Sequence, residues 1–322
     1  MADDGLGREK APRAAVAFAG RDFPYFSFRL RQFYFPGGIA EAFARAPRGA
    51  FGVVLLGSCE GTEMAVKVLI ASRREDHAAE VEILSFLREQ IKVALGSEDR
   101  GVRRRLEDLG ARHVVYVFGM GEEPDLANVA PGLQPGPARL LAVEPLDRTL
   151  TEAFLQHRVP PLPPPPISTL LRVAHEVALA LAFLAHRNVV HSDIKPDNVM
   201  LATDGRTVIC DLGLARVIGS PRAGGYDGHG GTLAYLAPEL HVKEARSPSL
   251  ATDVYAFSLL LWCLFSGRQH AWQGADGRLP DEDTISLLVM RGDRPDLEAL
   301  RADTPAGVRD LIQRCWAQEP SE

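Results

Sequence analysis

An acid, a lysine and an amide lie close together in the stretch from Val189 to Val199. Asp193, Lys195 and Asn198 stand there with apolar residues on either side. A carboxylate can accept a proton from a hydroxyl group, an ammonium can neutralise a phosphate, and an amide oxygen can bind Mg²⁺. Phosphoryl transfer needs these groups, because it depends mostly on positioning and charge stabilisation. The alternative is a surface loop whose charges are solvated.

Two further residues fit the same chemistry. Asp211 follows the apolar run Thr207–Cys210 and precedes a glycine-containing turn, which favours a metal-ligand role. Lys67 lies between Val66 and Val68, and an ammonium in an apolar strand needs a partner. Glu80 is the first candidate partner and Glu82 the second. The alternative for Lys67 is an edge strand from which its ammonium reaches solvent.

The elements around these residues follow from hydrophobic periodicity and turn residues. In the first half of the chain the pattern predicts a glycine-rich β-hairpin over 49–69, a helix over 76–88, a strand over 113–118 and a loop over 119–137. In the second half it predicts a core helix over 168–187 capped by Ser168, and a hairpin over 199–210 with an Asp204-Gly205 turn. A buried helix over 253–265 and helices near 284–291 and 305–318 follow. The two hairpins and the helix over 76–88 would then carry Lys67, Asn198, Asp211 and the acidic candidates.

Composition limits the class of protein. The chain has 322 residues, 46% hydrophobic and 24% charged, with a net charge of −6. This balance gives no general attraction to nucleic acid, and we expect none as a partner. The four cysteines form no CxxC pair, which is typical of reduced thiols. We find neither a signal peptide nor an apolar run long enough to cross a bilayer, and we expect a cytoplasmic protein.

The ordered motifs together resemble the eukaryotic protein kinase catalytic domain of the serine/threonine type. The motifs are Gly49-x-x-Gly52, Ala65-Val66-Lys67, His191-Ser-Asp193-Ile-Lys195-Pro-Asp-Asn198, Asp211-Leu-Gly213 and Ala237-Pro-Glu239. Arg291-Gly-Asp-Arg-Pro295 and Cys315-Trp316 are similar to the tyrosine-kinase-like group. The resemblance covers roughly residues 45–322.

The resemblance implies an α+β, two-lobed protein-kinase fold. A β-rich N-lobe with one main helix would occupy residues 41–145, after an N-terminal extension over 1–40, and a mostly helical C-lobe would occupy 146–322. The chain ends where the family normally continues, so we expect a C-lobe that is incomplete at its C-terminus.

The resemblance also implies ATP and Mg²⁺ as cofactors and assigns a nucleotide site. Residues that would bind ATP are Gly49, Phe51, Gly52, Val54, Ala65, Lys67, Glu144, Leu146, Asn198 and Asp211. Among them, Glu144 would offer its carbonyl and Leu146 its N–H to the adenine edge, with Val143 as gatekeeper. Asn198 and Asp211 would hold the metal.

The implied catalytic residues are Asp193, Lys195, Lys67 and Glu80. Asp193 would accept or orient the hydroxyl of a protein substrate, Lys195 would steady the transferring phosphate, and Lys67 would hold the α/β-phosphates, oriented by Glu80. Lys195 together with Thr232 matches the serine/threonine pattern.

Three departures from the pattern support an alternative, a pseudokinase scaffold that binds partners without turnover: Pro47, Ser192 and the expected incomplete C-terminal end. Pro47 stands where the family has the first glycine of its loop. Ser192 replaces the arginine that usually pairs with an activation-loop phosphate. A small-molecule phosphotransferase is a third hypothesis, and the segment from Thr232 to Glu239 argues against it because in kinases it builds a shelf for a peptide.

Two segments could dock a partner. The aromatic N-terminal segment Phe23–Phe35 is one, although packing against the domain is the more favoured interpretation. The proline-rich segment 159–166 is the other, and a stiff spacer is again the more favoured interpretation.

Overall fold

The structure is a computed structural model. It describes residues 27–46, 48–49, 52–70, 82–90, 110–129, 136–156, 163–219, 231–242, 247–274 and 277–320. Pro47, Phe51 and Glu80 lie outside these ranges, as do residues 159–162 of the proline-rich segment and residues 23–26 of the Phe23–Phe35 segment.

The described strands form three sheets. Their bounds are β1 Ser27–Phe28, β2 Arg48–Gly49, β3 Gly52–Cys59, β4 Thr62–Ile70, β5 Val117–Glu123, β6 Ala138–Val143, β7 Leu146–Thr149, β8 Val189–Val190, β9 Val199–Ala202, β10 Thr207–Ile209 and β11 Arg216–Val217. The largest sheet has the order β1-β5-β6-β4-β3-β2. The smaller ones have the orders β10-β9-β7 and β11-β8.

Helices dominate the part of the chain that follows β7. The described helices are α1 Ile39–Arg45, α2 over residues 82–90, α3 Ile167–His186, α4 Leu250–Ser266, α5 Glu282–Met290 and α6 Ala306–Cys315, with a π-helical turn at Thr151–Leu155. The six-stranded sheet precedes most of this helical part in the chain. The predicted α+β class and its two-lobed arrangement are confirmed.

The register of the large sheet places one row of side chains on a common face. Val54 pairs with Lys67, and Ala65 pairs with Val143 across β4 and β6. Directly opposed residues share a face, and so do residues two apart on one strand. Val54, Ala65, Lys67 and Val143 therefore lie on one side of the sheet.

The opposite face of the sheet is buried by the N-terminal segment. Leu30, Phe33, Phe35 and Phe43 pack with Val66 and other residues of β3, β4 and β6 in a hydrophobic cluster. Tyr34 is joined to Ser58 by backbone hydrogen bonds of 2.8 and 2.9 Å. The described part of the aromatic segment thus packs on the domain, as the favoured interpretation predicted.

Helix α4 forms the centre of the helical lobe because its sequence is apolar nearly all round. From Tyr255 to Phe265 every residue is buried, including Trp262 and Ser258. The helix ends at Gly267, which adopts φ 71 and donates its N–H to the carbonyl of Cys263. A left-handed residue after the last turn is where glycine is favoured.

Helix α3 has the length and the hydropathy that a membrane span requires. Its apolar side chains, however, lie in the same hydrophobic cluster as α4: Leu170, Val173, Val177, Ala180, Phe183 and Leu184 are each 0% exposed. A core helix of a helical lobe accounts for this composition.

Two details of the predicted elements were wrong. Helix α3 begins at Ile167 with Pro166 in the N-cap position, because the Pro166 carbonyl accepts the N–H groups of Thr169 and Leu170. Ser168 therefore lies inside the helix. Strand β5 runs from Val117 to Glu123 and so extends into the predicted loop. The reason is that its glycines pair with β6 after a bulge at Val117/Gly119.

Candidate active site

The carboxylate of Asp193 is the centre of a hydrogen-bonded network. Its Oδ2 accepts from Lys195 Nζ at 2.7 Å and from Asn198 Nδ2 at 2.7 Å. The same Asn198 nitrogen donates to the Asp193 carbonyl at 2.8 Å. The 3₁₀ turn Pro196–Asn198 folds the loop back and makes this convergence possible. The three residues predicted from spacing are thus brought together.

Thr232 reaches the other oxygen of the same carboxylate. Its N–H and its hydroxyl each donate to Asp193 Oδ1 at 2.8 Å. The hydroxyl also accepts from Lys195 Nζ at 2.6 Å. A hydroxyl group therefore lies between the Asp193 carboxylate and the Lys195 ammonium.

Asp193 is held in its ionised form. Burial alone would raise the pKa of this carboxyl, but Lys195 and the hydroxyl of Thr232 outweigh it and lower the pKa below its ordinary value of 3.8. The side chain is buried, so bulk water does not screen these contacts strongly. Asp193 is therefore a carboxylate acceptor at neutral pH.

A buried acid of α4 holds the backbone of the loop that carries Asp193. Asp253 accepts the N–H of His191 at 2.6 Å and the N–H of Ser192 at 2.9 Å. Burial raises the pKa of Asp253, and the two N–H donors oppose that shift. Sequence reasoning missed this role. The available signal was an aspartate at the start of an otherwise apolar helix.

Two residues beside the site adopt positive φ angles. Ser192 has φ 68 and Asp211 has φ 60. Such angles are uncommon outside glycine and asparagine, and they persist where the surroundings fix them. The backbone at Ser192 is held on one side by Asp253, which accepts the Ser192 N–H, and on the other side by the hydrogen bonds of Asp193. Its hydroxyl oxygen is buried, with no hydrogen-bond partner among the described residues.

Lys67 reaches across from the sheet to Asp211. Its Nζ lies 2.9 Å from Asp211 Oδ1, and the two side chains are 16% and 25% exposed. This contact joins β4 to the segment that follows β10. Glu80 lies outside the described residues, and Glu82 is an exposed residue of α2. The predicted pairing of Lys67 with Glu80 stays a prediction.

The donor set at Asn198 and Asp211 fits Mg²⁺. The Asn198 amide nitrogen is used by Asp193, which leaves its oxygen as the remaining acceptor, and the Cys210 N–H donates to the Asn198 carbonyl at 2.9 Å. That bond holds Asn198 beside the residue that precedes Asp211. Mg²⁺ prefers oxygen ligands and is often held by one or two protein groups together with substrate phosphates.

The predicted nucleotide residues line up along the sheet and the segment after β6. Gly49 of β2 pairs with Gly52 of β3, and Val54 and Ala65 share the face of Lys67. Glu144 follows β6 and donates its N–H to the Tyr116 carbonyl at 3.0 Å. Leu146 begins β7 and pairs with Ala202 of β9. Phe51 is outside the described residues.

The side chain of Glu144 has a role that sequence reasoning missed. One carboxylate oxygen accepts the Tyr116 N–H at 2.9 Å, and the other pairs with Arg206. The sequence prediction used only the Glu144 carbonyl. An arginine in the turn of a distant hairpin gave no signal of this contact.

Comparison with known proteins agrees with this geometry. A family model described as protein tyrosine and serine/threonine kinase matches residues 135–322. Receptor-interacting serine/threonine-protein kinase 3 of Homo sapiens is 37% identical over 169 residues, which cover 49% of this chain and 31% of that protein. Receptor-interacting serine/threonine-protein kinase 1 of Homo sapiens is 28% identical over 173 residues, 48% of this chain and 24% of that protein.

A longer match is to the dual specificity protein kinase shkA of Dictyostelium discoideum. It is 26% identical over 276 residues, 84% of this chain and 44% of that protein. The matches thus span less than half of the length of each of these relatives.

Proposed function

Since the chain belongs to the protein kinase family, we propose that it is a serine/threonine kinase that transfers the γ-phosphoryl of Mg-ATP to protein hydroxyls. The observation that carries the proposal is the hydroxyl of Thr232, which lies between the Asp193 carboxylate and the Lys195 ammonium. A kinase needs this pair of groups at the attacking oxygen and at the transferring phosphoryl.

Each residue of the network would have a distinct task. Asp193 orients the substrate hydroxyl and accepts its proton, since its lowered pKa keeps it ionised. Lys195 neutralises negative charge as the phosphoryl moves between oxygens. Asn198 fixes the Asp193 carboxylate through its amide. Asp253 holds the peptide N–H groups just before Asp193, which limits movement of the acid.

The nucleotide would lie between the sheet and the helical lobe. Val54 and Ala65 would pack on the adenine, while the Glu144 carbonyl and the Leu146 N–H would bind its edge. Lys67 would hold the α- and β-phosphates, as its position opposite Val54 and beside Asp211 supports. Asn198 and Asp211 would hold Mg²⁺, which when bound neutralises charge on the phosphate oxygens.

A pseudokinase scaffold is the second candidate, and Ser192 favours it. The residue carries no positive charge, so it offers no ion pair to a phosphorylated activation loop. The Asp193 network is nevertheless assembled with Ser192 in place. We therefore propose an active kinase that is not switched on through this position, and we place it in the cytoplasm.

Phosphoamino-acid analysis tests the proposal. Purified protein is incubated with Mg²⁺, radiolabelled ATP and a generic protein substrate, and the labelled residues are identified after hydrolysis. Labelled serine or threonine supports the proposal. Nucleotide binding without any transfer supports the scaffold, and transfer onto tyrosine alone contradicts the serine/threonine assignment.

A further inference from the structure

The carboxylate of Glu144 is buried at the junction of β6 and β7. The Glu144 side chain is 5% exposed, and burial raises its pKa although Arg206 opposes the shift. A buried carboxylate requires partners, and among the described residues this one contacts the Tyr116 N–H and the Arg206 guanidinium. The residue that would present its carbonyl to adenine is therefore anchored through its side chain.

Arg206 connects three segments. It lies in the turn between β9 and β10, and its side chain is 8% exposed. Nη2 donates to Glu144 Oε2, Nη1 donates to the Arg112 carbonyl, and Nε donates to Asp204 Oδ2 at 3.2 Å. The planar guanidinium serves these acceptors at once, which a lysine ammonium on a flexible stem cannot reproduce.

The hairpin that carries Arg206 also positions the proposed metal ligands. Asn198 directly precedes β9, and Asp211 lies two residues after Ile209, the last residue of β10. Strand β10 is tied to the segment before β5 by the Val115 N–H, which donates to the Ile209 carbonyl at 2.9 Å. One hairpin thus contacts the proposed adenine edge through Arg206 and the proposed phosphate end through Asn198 and Asp211.

We propose that Arg206 is a positioning residue for the nucleotide, acting through Glu144 to fix the adenine-binding edge relative to the metal-binding hairpin. The inference rests on the proposed function, because it concerns the same nucleotide site. ATP spans the two groups, so its affinity depends on their relative placement. Arg206 would act through its contact with Glu144, and we assign it no contact with ATP itself.

Removal of the Arg206 guanidinium leaves the Glu144 carboxylate buried, with the Tyr116 N–H still donating to it but without its cationic partner. In Arg206→Gln we expect the KM for ATP, and the Kd of a non-hydrolysable ATP analogue, to rise about tenfold, with kcat changed less than about threefold. Arg206→Lys should lie between the wild type and Arg206→Gln. Glu144→Gln combined with Arg206→Gln should be less impaired than the sum of the single changes, since no buried charge is then unpaired.

Arg172→Gln is the matched control. Arg172 contacts the same hairpin, through the Gly205 carbonyl at 2.9 Å and through Glu176, which accepts the Thr207 N–H. Its contacts do not reach Glu144. We therefore expect Arg172→Gln to destabilise the hairpin and to leave the Kd of the ATP analogue near the wild-type value.

Amide hydrogen exchange gives a readout that needs no nucleotide. The Tyr116 N–H donates to Glu144, so Arg206→Gln should speed its exchange more than Arg172→Gln does. Faster exchange together with weaker analogue binding supports the inference. Unchanged Tyr116 exchange, or equal effects of the two variants on the Kd, overturns it. Wild-type protein that binds the analogue but transfers no phosphoryl contradicts the proposed kinase activity and leaves this comparison intact.

Discussion

The ammonium of Lys67 lies 2.9 Å from the carboxylate of Asp211 and so connects the large sheet to the segment after β10. Lys67 stands on the same sheet face as Val54 and Ala65. Asp211 adopts a positive φ angle at the end of the hairpin that holds Asn198. The contact brings together the cation proposed to bind phosphate and the anion proposed to bind the metal, from opposite sides of the proposed nucleotide site.

Replacing Lys67 by methionine should remove activity and leave the fold. We expect kcat/KM to fall by about 100-fold or more, because a cation at the phosphates is lost. The pair is partly exposed, so the unfolding free energy should change by about 1 kcal/mol or less. Steady-state kinetics and thermal unfolding measure the two effects. Glu63→Gln, an exposed charge change on the same strand, is the control, and equal activities of the two variants would contradict the assignment.

The hydroxyl of Thr232 should matter more than its methyl group. Thr232→Ala removes the hydroxyl that bridges Asp193 and Lys195, and we expect kcat to fall by roughly 10-fold. Thr232→Ser keeps that hydroxyl and should retain most of the activity. Initial-rate measurements on both variants decide the point. If kcat falls as much in Thr232→Ser as in Thr232→Ala, the loss comes from packing of the methyl group and the hydrogen bonds of the hydroxyl do not explain it.

Asp253 should be required for both stability and activity. In Asp253→Ala the N–H groups of His191 and Ser192 lose their acceptor in a buried setting, which should cost about 2–5 kcal/mol of unfolding free energy. Denaturant titration measures this loss. Val254→Ala changes the next residue of the same helix, which is exposed, and should stay within about 0.5 kcal/mol of the wild type. A similar midpoint for both variants would argue against the proposed support of the loop.

The stabilising effect of Asp193 should depend on pH. Its pKa is lowered in the folded protein, so its ionised form adds stability above its ordinary pKa of 3.8, and this stability is lost as pH falls through the folded value. The difference in unfolding free energy between wild type and Asp193→Asn should therefore be largest at neutral pH and shrink below pH 3.8. Denaturant unfolding at a series of pH values measures it. A difference that grows on acidification would mean that Asp193 is not held ionised by Lys195.

Much of the site could be predicted because its residues are close in sequence. Asp193, Lys195 and Asn198 fall within one loop, and the Asp204-Gly205 turn indicates the hairpin that leads to Asp211. The buried helix α4 could be predicted because its sequence from Tyr255 to Phe265 is apolar nearly all round, and a helix of that composition is buried.

The remaining contacts join residues far apart in the chain. Asp253 lies 62 positions after His191, and Arg206 lies 62 positions after Glu144. Neither pair has a local pattern, because a charged residue in a helix or a turn is usually solvated. Strand β5 was misplaced for a related reason: its pairing with β6 overrides the loop preference of Gly119 and Gly121.

The central claim is that the Asp193 carboxylate orients the substrate hydroxyl and accepts its proton, and Asp193→Asn tests it most directly. Transfer of phosphate from Mg-ATP to a generic protein substrate is measured for wild type and variant, with binding of a non-hydrolysable ATP analogue measured on the same samples. We predict that the variant binds the analogue within about threefold of the wild type while its turnover falls by about 1,000-fold or more. Turnover in Asp193→Asn equal to that of the wild type would contradict the account.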